Sequence, residues 1–420
     1  IRSCRYYFPA FSQGFDAFYV NWGIDDSIAD YLQSLGLDQY DGMNNPGGLF
    51  GRDEERQKAG YPLEHTGYFD GTRFASVVQA EGKRTDLADD KKDTAFRFNG
   101  MSEQLKQMRE IGFVPLVVLE DEADAVPLAT ALQRGGIPVA EVTFRTEAAL
   151  SCIEKMAREV PGVLVGAGTV HTVEQAQSAV SAGATFIVTP GFSPKVVSWC
   201  VEHQIDVIPG ITSPSDVEQA MEFGLSVCKF FPAAAYGGTE TLKALTGPYA
   251  GISFLPTGGV NEGNMLDYLA LSNVAAVGGS FLCPNKLIKE KDWNGVSVLC
   301  GRLMQKLLGF ELAHVGINTQ DAEDAKRTAE RLGFLFGKAV TEFPGAYFAG
   351  EIAEVVKGSY LGAMGHIGIN TRDMERAVAY FKRIGVEFDE NTRSVNGEGK
   401  LGAIYFKEQI GRFAVHLRRN

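Results

Sequence analysis

The chain has 420 residues, 45% hydrophobic and 22% charged, which allows two to four domains with well-filled cores. A formal net charge of −12 argues against a nucleic-acid groove or an anionic membrane surface as the main partner. No apolar run reaches the roughly 18 residues needed to span a bilayer and no signal-peptide pattern opens the sequence, so a cytoplasmic protein is expected.

Three zones follow one another. Residues 1–100 are rich in aromatics, Gly and Asp, as in Tyr6-Tyr7-Phe8 and Gly42-Met43-Asn44-Asn45-Pro46-Gly47-Gly48. One helix is expected from Asp26 to about Leu35, with Asp26 as its cap, and the charged stretch Asp86–Asp93 reads as a linker or solvated loop. This zone carries no recognisable fold or chemistry.

From 101 to 308 short apolar runs alternate with amphipathic stretches. The β-type runs are Val114–Leu119, Ala140–Thr143, Val163–Gly168, Thr185–Thr189, Val207–Gly210, Val227–Phe230, Ile252–Thr257 and Ala275–Gly278, with helix patterns such as Thr146–Glu159 and Thr172–Ala182 between them. Eight such units in this length predict an α/β domain, a (β/α)8 TIM barrel. An open doubly wound sheet is the alternative, weakened because no GxGxxG follows the first run. The six cysteines (Cys4, Cys152, Cys200, Cys228, Cys283 and Cys300) include no CxxC pair, which suits free thiols in a reducing compartment.

From 309 to 420 the sequence repeats itself. His314-Val315-Gly316-Ile317-Asn318-Thr319 returns 52 residues later as His366-Ile367-Gly368-Ile369-Asn370-Thr371, each copy followed by an amphipathic helix and strand-like segments. Two copies of about the length of a βαβββ unit predict an α+β paired module rather than a solenoid, which needs three or more.

Functional residues of a barrel gather where strands end. Alternation along the second run puts Glu141, Thr143 and Arg145 on one face. The third run ends in Gly166-Ala167-Gly168-Thr169, the fourth in Thr189-Pro190-Gly191 and the fifth in Pro209-Gly210. The sixth carries Lys229 in the apolar stretch Val227-Cys228-Lys229-Phe230-Phe231-Pro232. A lone lysine there reads either as a snorkelling or ion-paired strand residue, or as an amine that desolvation makes easier to neutralise and hence a nucleophile toward ketones. Runs seven and eight end in Gly258-Gly259 and Gly278-Gly279-Ser280, where barrels commonly hold a phosphate on backbone N–H groups. Together these ends favour the nucleophile.

The stretches EVTFRT (141–146), GAGTV (166–170), TPG (189–191), PGI (209–211), KFFPA (229–233), PTGG (256–259) and GGS (278–280) resemble the 2-keto-3-deoxy-6-phosphogluconate (KDPG) aldolases, a family that includes 4-hydroxy-2-oxoglutarate (KHG) aldolase. The resemblance implies a class I, carbon–carbon-cleaving aldolase with Lys229 as the Schiff-base lysine and Glu141 as general acid/base. It implies that Arg145, Thr169 and the Gly168 backbone hold the pyruvate carboxylate, Phe231 packs on the substrate and Pro190 shapes the pocket floor. Thr257 would touch the substrate chain, with Gly258, Gly259, Gly279 and Ser280 on its phosphate. No cofactor is implied for this step, and a homotrimer is. The 6-phosphogalactonate epimer and 4-hydroxy-2-oxoglutarate are the rival substrates.

The repeated HxGIN strand resembles the glyoxalase, or vicinal-oxygen-chelate, fold. That resemblance implies a divalent metal (Zn²⁺, Fe²⁺ or Ni²⁺) held by His314, Glu354, His366 and His416. His416 departs from the family's metal enzymes, which more often carry a carboxylate there, so the metal's identity stays open. The alternatives are a metal-free structural or dimerising module, and a metalloenzyme or ligand sensor to which the barrel is auxiliary.

Overall fold

A computed structural model of the protein describes residues 101–420 and the backbone of five strands before them. The chain divides into two compact units, Ile1–Arg97 and Phe98–Asn420. In the first, β1 (Arg2–Tyr6) pairs antiparallel with β2 (Val20–Ile24). β3 (Thr66–Phe69), β4 (Phe74–Ala80) and β5 (Lys83–Asp86) form an antiparallel three-stranded sheet. The expected helix at 26–35, and all of the charged stretch but Asp86, lie outside the described residues.

The second unit opens with α1 (Glu103–Ile111), then β6 (Phe113–Val117), α2 (Ala125–Arg134), β7 (Val139–Thr143), α3 (Ala149–Glu159), β8 (Leu164–Gly168), α4 (Val173–Ser181), β9 (Phe186–Val188) and α5 (Pro194–Glu202). It continues with β10 (Asp206–Ile208), β11 (Gly210–Ile211), α6 (Pro214–Glu222), β12 (Val227–Phe230), α7 (Gly238–Thr246), β13 (Ser253–Pro256), α8 (Met265–Leu269), β14 (Val277–Gly279), α9 (Asn285–Lys289) and α10 (Trp293–Leu308). The helices start where their sequences provide caps. Ser102 accepts from the Leu105 N–H, and Thr172–Gln175 and Ser213–Asp216 form reciprocal capping boxes.

Every barrel pairing is parallel. Strands run β10-β9-β8-β7-β6-β14 in one ladder and β11-β12-β13 in the other. β10 and β11 are one strand broken at Pro209, which has no N–H to give a ladder. Bridges Phe254–Val274 and Thr257–Gly278 join β13 to β14, and β14 pairs with β6 through Val277–Phe113. The sheet therefore closes on itself, which rules out the open doubly wound alternative. β6, β7, β9, β12, β13 and β14 are buried along their whole length, as strands covered on both faces must be. The five described cysteines are free and buried, and burial pushes the thiols of Cys152 up to about 11 and of Cys200 to about 12.

Two βαβββ units follow. The first is β15 (Glu311–Asn318), α11 (Ala322–Phe336), β16 (Val340–Glu342), β17 (Ala346–Ala349) and β18 (Ala353–Val356). The second is β19 (His366–Thr371), α12 (Met374–Arg383), β20 (Phe388–Val395), β21 (Leu401–Ile410) and β22 (Phe413–Arg419). They share one eight-stranded sheet, ordered β16-β17-β18-β15-β19-β22-β21-β20, with β15 and β19 antiparallel at its centre.

The second repeat is built onto the barrel. Met374, Ala377, Phe388, Leu401, Ile404 and Leu417 belong to the same continuous core as the barrel strands, whereas Ala325, Ala329, Tyr347, Ala353 and Val355 form a separate small core in the first repeat. Arg376 of α12 donates from Nε to the Arg109 carbonyl and from Nη2 to the Ala275 carbonyl, both at 2.9 Å. Those carbonyls precede β6 and β14, so the module covers the amino end of the barrel.

Candidate functional site

β12 lies between β11 and β13, and its alternation sends Val227 and Lys229 to one face, Cys228 and Phe230 to the other. Lys229 is 4% exposed and Glu141, on β7 across the barrel, is 0% exposed. Lys229 Nζ donates to Glu141 Oε1 at 3.1 Å. A snorkelling lysine is excluded by that burial; the amine faces the Glu141 carboxyl group inside the barrel. Glu141 Oε2 is buried with no partner among the described residues, an uncommon state for a carboxylate oxygen. The ring of Phe231 has its centroid 5.3 Å from Nζ.

Gly168 makes room for this pair. A Cβ there would lie 2.7 Å from Glu141 Cγ and 2.9 Å from Cδ, and closer still to Oε1. Its φ is not in the left-handed region, so the glycine is required by the approach of Glu141 and not by the backbone. Thr169, the next residue, is a non-glycine at φ 58. Strain of that kind is held only where the surroundings demand it.

The remaining expected residues sit at the same carboxyl end of the barrel. β7 stops at Thr143, whose Oγ1 donates to the Val117 carbonyl at 3.1 Å, so strand alternation does not extend to Arg145. Arg145 is exposed in the turn that follows and has no carboxylate partner among the described residues. Pro190 follows buried Thr189 and is half-buried, as is Phe231. Thr257 is buried at the end of β13. Gly258 and Gly259 have φ 91 and 81, backbone that favours glycine, and the Gly259 carbonyl accepts from Asn264 Nδ2 at 3.0 Å. Gly279 is buried in extended backbone, and Ser280 is exposed at the start of a 3-10 turn. Gly278 was not singled out from the sequence for a role of its own, yet a Cβ there would collide with Thr257 Oγ1. Its signal was only its place in a Gly-Gly pair.

A family model described as "KDPG and KHG aldolase" matches residues 105–299. The 2-dehydro-3-deoxy-phosphogluconate aldolase of Treponema pallidum is 48% identical over 198 residues, 47% of this chain and 94% of that protein. The chain belongs to the KDPG and KHG aldolase family. It is thereby a class I aldolase, a carbon–carbon lyase. The KHG/KDPG aldolase of Escherichia coli is 42% identical over 186 residues, 44% of this chain and 87% of that protein. Among solved structures, KDPG aldolase from Legionella pneumophila, with pyruvate captured as a covalent carbinolamine intermediate, is 39% identical, with a TM-score of 0.47, and is covered over 98% of its chain and 48% of this one. A second family model, "Protein of unknown function (DUF3048) N-terminal domain", matches residues 1–84.

The paired module brings its four singled-out residues together. His314 Nε2 lies 3.1 Å from His366 Nε2, 3.3 Å from His416 Nε2 and 3.2 Å from Glu354 Oε2. His366 Nε2 is in turn 3.3 Å from the same oxygen. The three imidazoles are buried. Ligand atoms held at about 2.0–2.2 Å from one ion lie about 3.0–3.5 Å from each other, so this donor set fits a divalent transition metal. Burial, with His314 and His366 beside it, lowers His416 to about 4, which favours the neutral ring with one nitrogen lone pair free. Burial pushes the Glu354 carboxyl up, but hydrogen bonds with His314 and His366 outweigh it and bring it down to about 2. His171 and His203 lie elsewhere, with His203 Nδ1 2.7 Å from the Trp199 carbonyl. His65 is outside the described residues.

Proposed function

We propose that the barrel cleaves 2-dehydro-3-deoxy-6-phosphogluconate to pyruvate and glyceraldehyde 3-phosphate through a Schiff base on Lys229. The observation that carries this reading is the buried Lys229–Glu141 pair at 3.1 Å, in a chain of this family. The Lys229 amine adds to the C2 ketone, and loss of water from the carbinolamine gives an iminium. Glu141, directly or through a water, takes the C4 hydroxyl proton as C3–C4 breaks; the bonding pair flows into the iminium and leaves an enamine. Glyceraldehyde 3-phosphate departs, C3 is protonated, and hydrolysis releases pyruvate and the amine. The Arg145 fork and Thr169, with the Gly168 backbone, hold the carboxylate of the keto acid. Phe231 and Pro190 pack against it, Thr257 meets the chain, and Gly258, Gly259, Gly279 and Ser280 take the phosphate.

The names of the relatives support KDPG as substrate, and that of the Escherichia coli relative supports 4-hydroxy-2-oxoglutarate, cleaved to pyruvate and glyoxylate, as a second one. A screen of 2-keto-3-deoxy acids, the 6-phosphogalactonate epimer included, ranks them. Borohydride added with pyruvate is expected to leave a reduced adduct on the Lys229 peptide in mass spectrometry. An unmodified Lys229 peptide, with adduct elsewhere or nowhere, overturns the mechanism. The buried free thiols support a reducing, cytoplasmic compartment, and the resemblance supports a homotrimer, which light scattering tests; a monomer refutes the trimer.

A second reading concerns residues 309–420. The convergence of His314, Glu354, His366 and His416 supports a glyoxalase-like module holding a divalent ion, which would serve as a Lewis acid toward an oxygen ligand. About one equivalent of metal per chain is expected by elemental analysis, with aldolase activity unchanged by a chelator. Aldolase activity that disappears with the metal would transfer the main role to this module.

A further inference from the structure

We infer that Gly316 and Gly368 are positioning residues of the C-terminal metal centre, each keeping open the space that a histidine from the other repeat occupies. The inference rests on the metal reading of that centre. In the central antiparallel pair, His314 stands opposite Gly368 and Gly316 stands opposite His366. On the outer sides the parallel ladders place Glu354 beside Gly316 and His416 beside Gly368. Residues directly paired across strands point to one face, so all six positions share it. The four ligands and two glycines form a checkerboard over β18, β15, β19 and β22, in which each glycine has a ligand on either side.

The space those glycines leave is in use. A Cβ on Gly316 would fall inside the His366 ring, meeting Cε1, Nδ1 and Nε2. A Cβ on Gly368 would lie 2.6 Å from His314 Cε1, 2.8 Å from His416 Nε2 and 2.9 Å from His314 Nε2. Three of the four ligands are thus seated on bare backbone. Neither glycine is in the left-handed region, so conformation does not call for it. A glycine inside a strand also weakens that strand, so stability does not call for it either. The duplicated His-x-Gly is accordingly a ligand and a seat, and the seat serves a histidine of the other copy. Gly368 also seats His416 of its own copy, but His314 and His366 each need the glycine of the opposite copy.

The test uses the full chain, stripped of metal and titrated with Co²⁺, with visible d–d absorption and chelator competition as readouts. Gly316→Ala and Gly368→Ala are expected to bind Co²⁺ about 10–100-fold more weakly and to shift its bands. Gly397→Ala, where an added Cβ meets open space, is expected to match the unsubstituted chain. The metal-free melting temperature, lowered in Gly316→Ala, is expected to recover in Gly316→Ala/His366→Ala, because the three atoms nearest the added Cβ all belong to that ring. Both glycine variants binding Co²⁺ with unchanged affinity and spectrum would overturn the inference, as would a melting defect that His366→Ala does not relieve. An unsubstituted chain that takes up no Co²⁺ would instead remove the metal reading itself.

Discussion

Alanine at position 168 separates the placement of Glu141 from its chemistry, because neither reacting side chain is altered. Ordinary contact begins near 3.4 Å, whereas the new methyl would stand 2.7 Å from Glu141 Cγ and 2.9 Å from Cδ. The carboxyl group must therefore withdraw by roughly 0.5–0.7 Å at its carbons, and further at Oε1. That stretches the 3.1 Å contact with Lys229 past hydrogen-bonding range. Misplacement by about 1 Å costs on the order of 100-fold, so Gly168→Ala is expected to lose about 10–100-fold in kcat/KM for KDPG cleavage. The loss is measured by coupling pyruvate release to lactate dehydrogenase. Borohydride trapping on Lys229 should persist, since the amine is untouched. A methyl could also crowd the substrate, so the decisive comparison is with Glu141→Asp, whose carboxylate sits one methylene further back. In the Gly168→Ala background that change should cost less than it does alone, a non-additivity expected of touching residues. Strict additivity, or a kcat/KM within about two-fold of the unsubstituted enzyme, refutes the reasoning.

Lys229→Met should abolish trapping and, by leaving Glu141 buried without its partner, destabilise the chain by about 3–5 kcal/mol in urea unfolding; Lys229→Met/Glu141→Gln should recover much of that loss. Equal stability of the single variant and its parent would show that the pair is hydrated. Burial pushes the Asp216 carboxyl up, but the Thr212 and Ser213 amides and hydroxyls together hold it below its ordinary value. Its stabilisation is therefore present at neutral pH and is lost as pH falls through that lowered value. Asp216→Ala should cost about 0.5–2 kcal/mol at pH 7 and little in strong acid, as read by melting temperature across pH; a pH-independent cost contradicts this. Arg376→Ala leaves the Arg109 and Ala275 carbonyls without the guanidinium, at about 1–3 kcal/mol for each unpaired acceptor, while aldolase kcat stays unchanged. A fall in kcat without loss of stability would connect the module to the chemistry directly.

The barrel was legible because each of its signals is local. Apolar runs such as Val227–Phe230 become strands with the same bounds, and Lys229 within that run was anomalous enough to announce itself. The boundary errors have local causes too. The run Val207–Gly210 is observed in two pieces because Pro209 cannot donate, and Arg145 falls beyond a strand that ends at Thr143. The repeat was legible as duplication, and the resemblance singled out the three histidines and the carboxylate that the structure brings together. What escaped were residues whose importance is the absence of a side chain. Gly278 under Thr257, and Gly316 and Gly368 under the histidines, matter only once register places another strand's atoms over them. Nor could periodicity show that α12 is packed against the barrel, since an amphipathic helix does not declare which apolar partner covers it.

That packing decides how the barrel and the paired module relate. The Lys229–Glu141 pair and the glycine-rich turns occupy the carboxyl end of the barrel, whereas Arg376 grips carbonyls that precede β6 and β14 at its amino end. A barrel interior is filled with side chains and is not a conduit, so no keto acid or aldehyde passes through it from one site to the other. The connection between them is mechanical. Met374 and Ala377 are wholly buried in the core that also holds Phe113 and Val277, so the second repeat stabilises the floor on which the aldolase strands start. The first repeat has its own small core and meets the second at the β15–β19 seam, where the histidines lie. An ion at that seam would fasten the outer repeat to the inner one, and through α12 to the barrel, without touching the keto acid at the barrel's carboxyl end.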